Sequence, residues 1–242
     1  MNLALISDVH GNLEALSAVE KSLQTQDVDR ILFLGDCVGY GANPNECVGL
    51  LKNLADHMLA GNHDWAAVGK SSAANFNPVA KTAIEWTRDQ LTGDNYQLLS
   101  SLPLKASSEN FMCVHSTPYL PEDWHYILNV FDARICFDTF TNTVCFVAHS
   151  HMPVIFMQNA DGKIVALHED ELTFQKKTRY IINIGSVGQP RDGNPRAGYG
   201  LFNTETRTYR LVRVHYDVQR AQQKIIDAGL PEILALRLGV GK

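Results

Sequence analysis

Several features that would assign a chain to a large functional class are missing from this one. Across 242 residues with a net charge of −5 there is no long basic run, so nothing advertises capture of a nucleic-acid backbone. The opening Met1-Asn2-Leu3-Ala4-Leu5-Ile6 has no positive region. Its apolar run is too short for a signal peptide or a membrane span, which makes a cytoplasmic location the expectation. The five cysteines (Cys37, Cys47, Cys113, Cys136 and Cys145) are odd in number and show no C-x-x-C spacing. Several lie in apolar runs such as Phe111-Met112-Cys113-Val114, as buried reduced thiols do. No internal repeat, low-complexity tract or linker breaks the chain. With 45% hydrophobic residues it can bury one sizeable core, so one domain over residues 1–242 is expected.

What is present is an alternation of strand and helix in the first half. Leu3–Ile6 is a short apolar run, after which Asn12 can cap a helix carrying Leu13, Leu16, Val19 and Leu23 at helical spacing. Ile31–Leu34 is a second buried run, Asn43-Pro44 opens the next helix, and His57–Ala60 makes a third strand. These strands run into Asp8, Asp36 and Asn62, and the carboxyl ends of parallel strands form a common rim where ligands bind. Residues from Trp65 to about Ser101 read as a helical insert, which either walls the cleft or only packs on the sheet. Strands return at Phe111–Val114 and Val144–Ala148, around a helix near Val130–Phe140. From Val154 to Val214 short apolar runs alternate with turn signals, a pattern of antiparallel hairpins, and Asp217 begins a terminal helix.

Five islands carry the chemistry: Asp8-Val9-His10, Gly35-Asp36, Gly61-Asn62-His63-Asp64, His115 and His149-Ser150-His151. Their candidate ligands are Asp8, His10, Asp36, Asn62, His115, His149 and His151. An oxygen-and-imidazole set without thiolate suits divalent Mn, Fe, Zn, Ni or Co. Seven donors are too many for one tetrahedral ion but fit two divalent metal ions sharing a carboxylate, an arrangement that clamps a nucleophile and a phosphate oxygen. Spacing of two would set Asp8 and His10 on one face of an extended strand. Asp36 can offer one oxygen to each ion, and His149 and His151 can face different ions across a turn. The pattern is that of a binuclear metallohydrolase.

In order and type the islands resemble the D-x-H, G-D, G-N-H-[DE], lone His and G-H-x-H motifs of the calcineurin-like metallophosphoesterase superfamily, in its small prokaryotic phosphodiesterase-type subgroup. The resemblance implies an α/β (α+β) fold, a two-layer β-sandwich flanked by helices. It also implies one metal on Asp8, His10, Asp36 and His151, and a second on Asp36, Asn62, His115 and His149. On the same resemblance His63 is a non-ligand imidazole that protonates the leaving oxygen, and Asp64 orients it and favours the imidazolium.

The tract Asn183–Gly193 resembles the family's N-P-G-S loop, where Arg191 either clamps a phosphate or pairs with Asp192 in a turn. Gly39-Tyr40-Gly41 is a tight loop from which Tyr40 could touch substrate. Ala148 and Ile184 replace a Gly and a Pro of the family pattern without removing a ligand. Cys37 stands where protein phosphatases carry the Arg of D-R-G, which weakens that assignment. The implied activity is hydrolysis of a phosphodiester or nucleotide phosphoanhydride by a metal-bridging hydroxide. Its partner would be a small phosphorylated or nucleotide substrate, with neither membrane nor nucleic acid. A phosphomonoesterase of a small metabolite and a non-enzymatic scaffold of the same fold are the alternatives. His57, His125, His168 and His215 lack partners at ligand spacing.

Overall fold

The computed structural model describes residues 1–242, and its first strands carry the alternation read above. β1 (Asn2–Ile6), β2 (Arg30–Phe33) and β3 (His57–Met58) run parallel, joined by α1 (Leu13–Leu23) and α2 (Pro44–Leu54). Asn12 starts α1 by accepting the Ala15 N–H, and Pro44 sits in the first turn of α2, where its missing N–H costs nothing. β1 is buried on both sides, as its unbroken apolar run requires. Ala4 and Ile6 meet Leu16, Val19, Val48 and Leu51 of the two helices. Leu3 and Leu5 face the other way into an inter-sheet core with Phe146, Ile155, Tyr180, Ile182 and Phe202. Each Leu, Ile, Val or Phe side chain among them contributes about 1.5–3 kcal/mol by leaving water.

The remaining elements are α3 (Asn62–Ala67), α4 (Pro78–Gln90), α5 (Gly93–Ser101), β4 (Lys105–Ser107), β5 (Phe111–Val114), α6 (Val130–Phe137), β6 (Val144–Val147), β7 (Val154–Gln158), β8 (Ile164–Leu167), β9 (Glu171–Thr173), β10 (Arg179–Asn183), β11 (Ala197–Asn203), β12 (Thr208–Val214), α7 (Val218–Asp227) and α8 (Glu232–Leu236). One six-stranded sheet has the order β3-β2-β1-β11-β12-β9 and the other β4-β5-β6-β10-β7-β8. This is the expected sandwich with helices outside it. Ala133, Cys136 and Phe137 of α6 cover the outer face of β6 and β10. All five cysteines are free and buried. No helix is long and apolar enough to cross a membrane.

The stretch from Trp65 to Ser101 is helical as read, in three helices: Gly69, the serines at 71 and 72 and Asn77-Pro78 separate the first two, and Leu91-Thr92 the last two. One expectation needs correction. Between 154 and 214 only β7–β8 and β11–β12 are hairpins. β10 enters the second sheet parallel to β6, and β9 crosses to pair with β12.

Candidate metal centre

β1 stops at Ile6, and the chain then takes two left-handed steps, with φ of 52° at Asp8 and 49° at His10. Asp36, Tyr40, His149 and His151 share that conformation at 60°, 61°, 67° and 60°. For non-glycine residues each such step costs on the order of 1–3 kcal/mol and persists only when its surroundings enforce it. Here main-chain bonds between the two turns enforce it: Asp8 N–H donates to Gly35 at 3.0 Å, His10 N–H to Asp36 at 3.0 Å and Gly11 N–H to Cys37 at 2.8 Å. Asp8 and His10 therefore converge through turn geometry. The strand alternation assumed from their spacing does not operate, because neither residue lies in a strand.

Asp8, His10, Asp36 and Asn62 come from the carboxyl ends of the first sheet, and His115, His149 and His151 from those of β5 and β6 in the second. All seven are buried. Asp8, His10 and His151 converge as one group and Asp36, His115 and His149 as another, with donor atoms in each group within 4.8 Å of one another; His63 forms a third such group with His10 and Asp36. His151 Nε2 lies 3.3 Å from Asp8 Oδ1, and His10 Nε2 lies 3.6 Å from Asp36 Oδ2. His115 Nε2 is 3.4 Å from the same Asp36 oxygen. Ligands at 90–110° around an ion about 2.1 Å away stand about 3.0–3.4 Å apart, so these spacings approach a coordination shell.

Tautomers follow from the partners. His10 Nδ1 donates to Val38 O at 3.0 Å, His115 Nδ1 to Leu34 O at 2.9 Å and His151 Nδ1 to Gln189 O at 2.6 Å. His10 and His151 keep an Nε2 lone pair facing the centre, and His115 turns its Nε2 there too. His149 is reversed: Nε2 donates to Trp124 O at 2.9 Å, leaving Nδ1 as the ligating atom. The Nε2 atoms of His10 and His151 stand 3.1 Å apart. Two lone pairs at that distance repel unless a cation lies beside them.

The carboxylates are likewise half-used. Asp8 Oδ2 accepts His149 N–H at 3.3 Å and Asp36 Oδ1 accepts His63 N–H at 2.8 Å. Asp8 Oδ1, Asp36 Oδ2, Asn62 Oδ1, His63 Nδ1 and His115 Nε2 are buried without any hydrogen-bond partner. Buried polar atoms cost about 1–3 kcal/mol each when unpaired, so this donor set fits divalent cations. Asp36 Oδ1 accepts the His63 N–H and keeps a further lone pair, while Oδ2 is unpartnered, so both oxygens stay available to the two groups.

Burial opposes charge on Asp36, but the His115 and His63 imidazoles hold its carboxyl well below the usual range. Burial also pushes His115 down, yet Asp36 and Asp8 outweigh it and hold that imidazole up at about 9. Burial drops His149 to about 3 and His10 well below the ordinary value, so both are neutral and ready to ligate.

The expected pairing of Asp64 with His63 is absent. Asp64 Oδ2 accepts the N–H groups of Asp36 (2.8 Å) and Gly61 (3.0 Å), while Oδ1 accepts those of Cys37 (2.9 Å) and Val38 (3.2 Å). It ties the turn after β2 to the start of α3 and has no oxygen directed at an imidazole. Without that neighbour His63 is not favoured as imidazolium. Burial lowers it to about 4, Asp36 opposing and His151 and Arg191 adding to the fall. Its ring is held by Tyr40 at 4.5 Å and Phe76 at 4.9 Å between centroids. A Cβ on Gly39, at φ +87°, would strike His63 Nδ1, which is why that turn needs glycine.

Arg191 and Tyr40 meet at the rim. Arg191 donates to Gln189 Oε1 at 2.7 Å and to Tyr40 Oη at 3.4 Å, and the Tyr40 ring stands 4.7 Å from that of His10. The turn pair with Asp192 does not form, because Asp192 is bound to Arg213. Ser186 Oγ donates to Asp8 O at 2.9 Å and Gly188 N–H to the same atom at 2.8 Å, docking the 183–193 tract on the first turn. His57, His125, His168 and His215 are exposed. The motifs did not point to Trp65, Phe76, Trp124 and Tyr126, which wall the site. Their only sequence signal was aromatic residues in the stretches between islands. The carbonyls of Leu34, Val38, Trp124 and Gln189 that orient the imidazoles had no sequence signal at all.

Comparison with known proteins gives consistent relatives. The description of the calcineurin-like phosphoesterase superfamily domain matches residues 1–207. An uncharacterised protein of Methanocaldococcus jannaschii is 40% identical over 245 residues, covering 99% of this chain and 98% of that one. The crystal structure of a metallophosphoesterase from Sphaerobacter thermophilus superposes with a TM-score of 0.89 at 41% identity, over 100% of both chains. A hypothetical protein from Pyrococcus horikoshii shares the fold with a TM-score of 0.81 at 19% identity, over 100% of this chain and 98% of that one.

Proposed function

We propose that this chain, which belongs to the calcineurin-like phosphoesterase superfamily, is a binuclear metal-dependent hydrolase of phosphodiesters or nucleotide phosphoanhydrides. The observation that carries the reading is the set of unpartnered buried donors on Asp8, Asp36, Asn62 and His115, which are uncompensated without cations. Asp8, His10, Asp36 and His151 would hold one ion and Asp36, Asn62, His115 and His149 the other. Such a pair supplies Lewis acidity toward phosphoryl oxygens and a water acidic enough to ionise near neutral pH.

The chain's own groups do the rest. Arg191, tethered by Gln189 and Tyr40 and carrying no carboxylate partner, is the cation available to a phosphate at the rim. His63 reaches the site neutral, so it gains the proton it delivers only when the anionic substrate is beside it. Its place among Tyr40, Phe76 and His10 suits delivery to the leaving oxygen. The test is hydrolysis of bis(p-nitrophenyl) phosphate by the Mn²⁺-loaded protein. Turnover abolished by chelation is expected, and a metal-loaded protein inert toward diesters, anhydrides and monoesters would favour the non-enzymatic scaffold.

A further inference from the structure

The loop between β5 and α6 does something the phosphate chemistry does not require. Tyr126 lies flat on the His149 imidazole, with ring centroids 4.0 Å apart and planes 11° from parallel. The residue still leaves 47% of its surface to solvent, so the face turned away from His149 is open. Two residues earlier Trp124 sits at φ +57°, a strained conformation for a bulky side chain. Its ring packs edge-on against Trp65 at 5.4 Å and against His115 at 6.1 Å. Leu120, at the other end of the short 3₁₀ turn Pro121–Asp123, is left-handed too, so the loop is bent at both ends. An aromatic face stacked on a candidate metal ligand, beside a centre suited to phosphate, matches a ligand that carries both an anion and a flat ring.

On the reading given above for the site, we propose that Tyr126, backed by His149, is the platform on which the base of a nucleotide substrate stacks. Stacking on a ring face accepts any base, because every base has a π face, so the platform selects nucleotides as a class without choosing among them. His149 gains from the same contact: the tyrosine that carries the base also holds the imidazole plane.

Equilibrium binding of adenosine monophosphate and of ribose 5-phosphate to the metal-loaded protein separates base from phosphate and needs no turnover. Adenosine monophosphate is expected to bind about tenfold or more tighter. Tyr126→Phe should keep that preference and Tyr126→Ala should lose it. Tyr126→Leu, which still covers His149 but lacks a π face, should lose it while retaining metal. Equal binding of the two ligands by the unmodified protein, or a preference surviving in Tyr126→Leu, overturns the platform. Either result leaves the phosphoesterase reading standing, since diester turnover alone decides that.

Discussion

At the scale of single residues, Asp36 concentrates the site's demands: Oδ1 is bound to the His63 N–H and Oδ2 lies within 3.6 Å of His10 and 3.4 Å of His115. Asp36→Asn should therefore lower occupancy of both ions together, measured as metal per chain after dialysis; loss of one ion alone would contradict the shared carboxylate. His63 has a different expectation, because its ring nitrogens bind nothing in the fold. His63→Asn should keep its metals and lose about 10²–10⁴ in kcat on an alkyl leaving group, and less on an aryl one. Equal losses on both would make it an electrostatic contact instead of an acid. The pH dependence belongs to His115. Burial lowers it, but Asp36 and Asp8 raise it from 6.5 to about 9 in the metal-free chain. The imidazolium's stabilisation is complete below about 6.5 and fades as pH rises through 9. A cation must displace that proton, so metal affinity should climb with pH up to about 9 and release a proton on binding at pH 7–8. Titration calorimetry in buffers of unequal ionisation enthalpy reads this directly; zero proton release would refute it. The ligand types were legible in the sequence because side-chain chemistry is local. The role of Asp64 was not, since four main-chain N–H groups from two turns leave no trace in residue identity.

Among elements, the junction between the turn after β2 and α3 depends on that carboxylate. Asp64→Asn replaces an acceptor oxygen with an NH₂ facing N–H donors, and should cost about 2–3 kcal/mol in urea unfolding. An unchanged midpoint would mean the four contacts do not hold the junction. The helices α1 and α2 were readable from the Asn12 cap, from Pro44 in the first turn of α2 and from their apolar stripes, each a property of a few adjacent residues; Asn43 itself makes no side-chain cap bond. The insert was read only as helical, although its breaks at 68–77 and 91–92 carry local signals in Gly69, Asn77-Pro78 and the Thr92 cap. What it contributes to the cleft is Trp65 against Trp124 and Phe76 against His63. Phe76→Ala should raise kcat/KM for bulky diesters relative to small ones while metal content holds. If the ratio stays constant, the segment only packs.

For the whole molecule, the order of the islands was informative because parallel strands deliver distant residues to one rim, and both sheets obey it. Their convergence could not be read, since it depends on six left-handed steps at non-glycine residues and on β10 slotting between β6 and β7. Those steps are affordable because the inter-sheet core from Leu3 to Leu211 fixes the strand ends on both sides of the cleft. The central claim is that this rim works as a two-ion hydrolytic centre. The most direct measurement is diester hydrolysis during stepwise Mn²⁺ loading of the stripped protein. The account expects activity to rise until two ions are bound per chain and to vanish again with chelator. Activity that saturates at one ion per chain, or persists in the stripped protein, would contradict it.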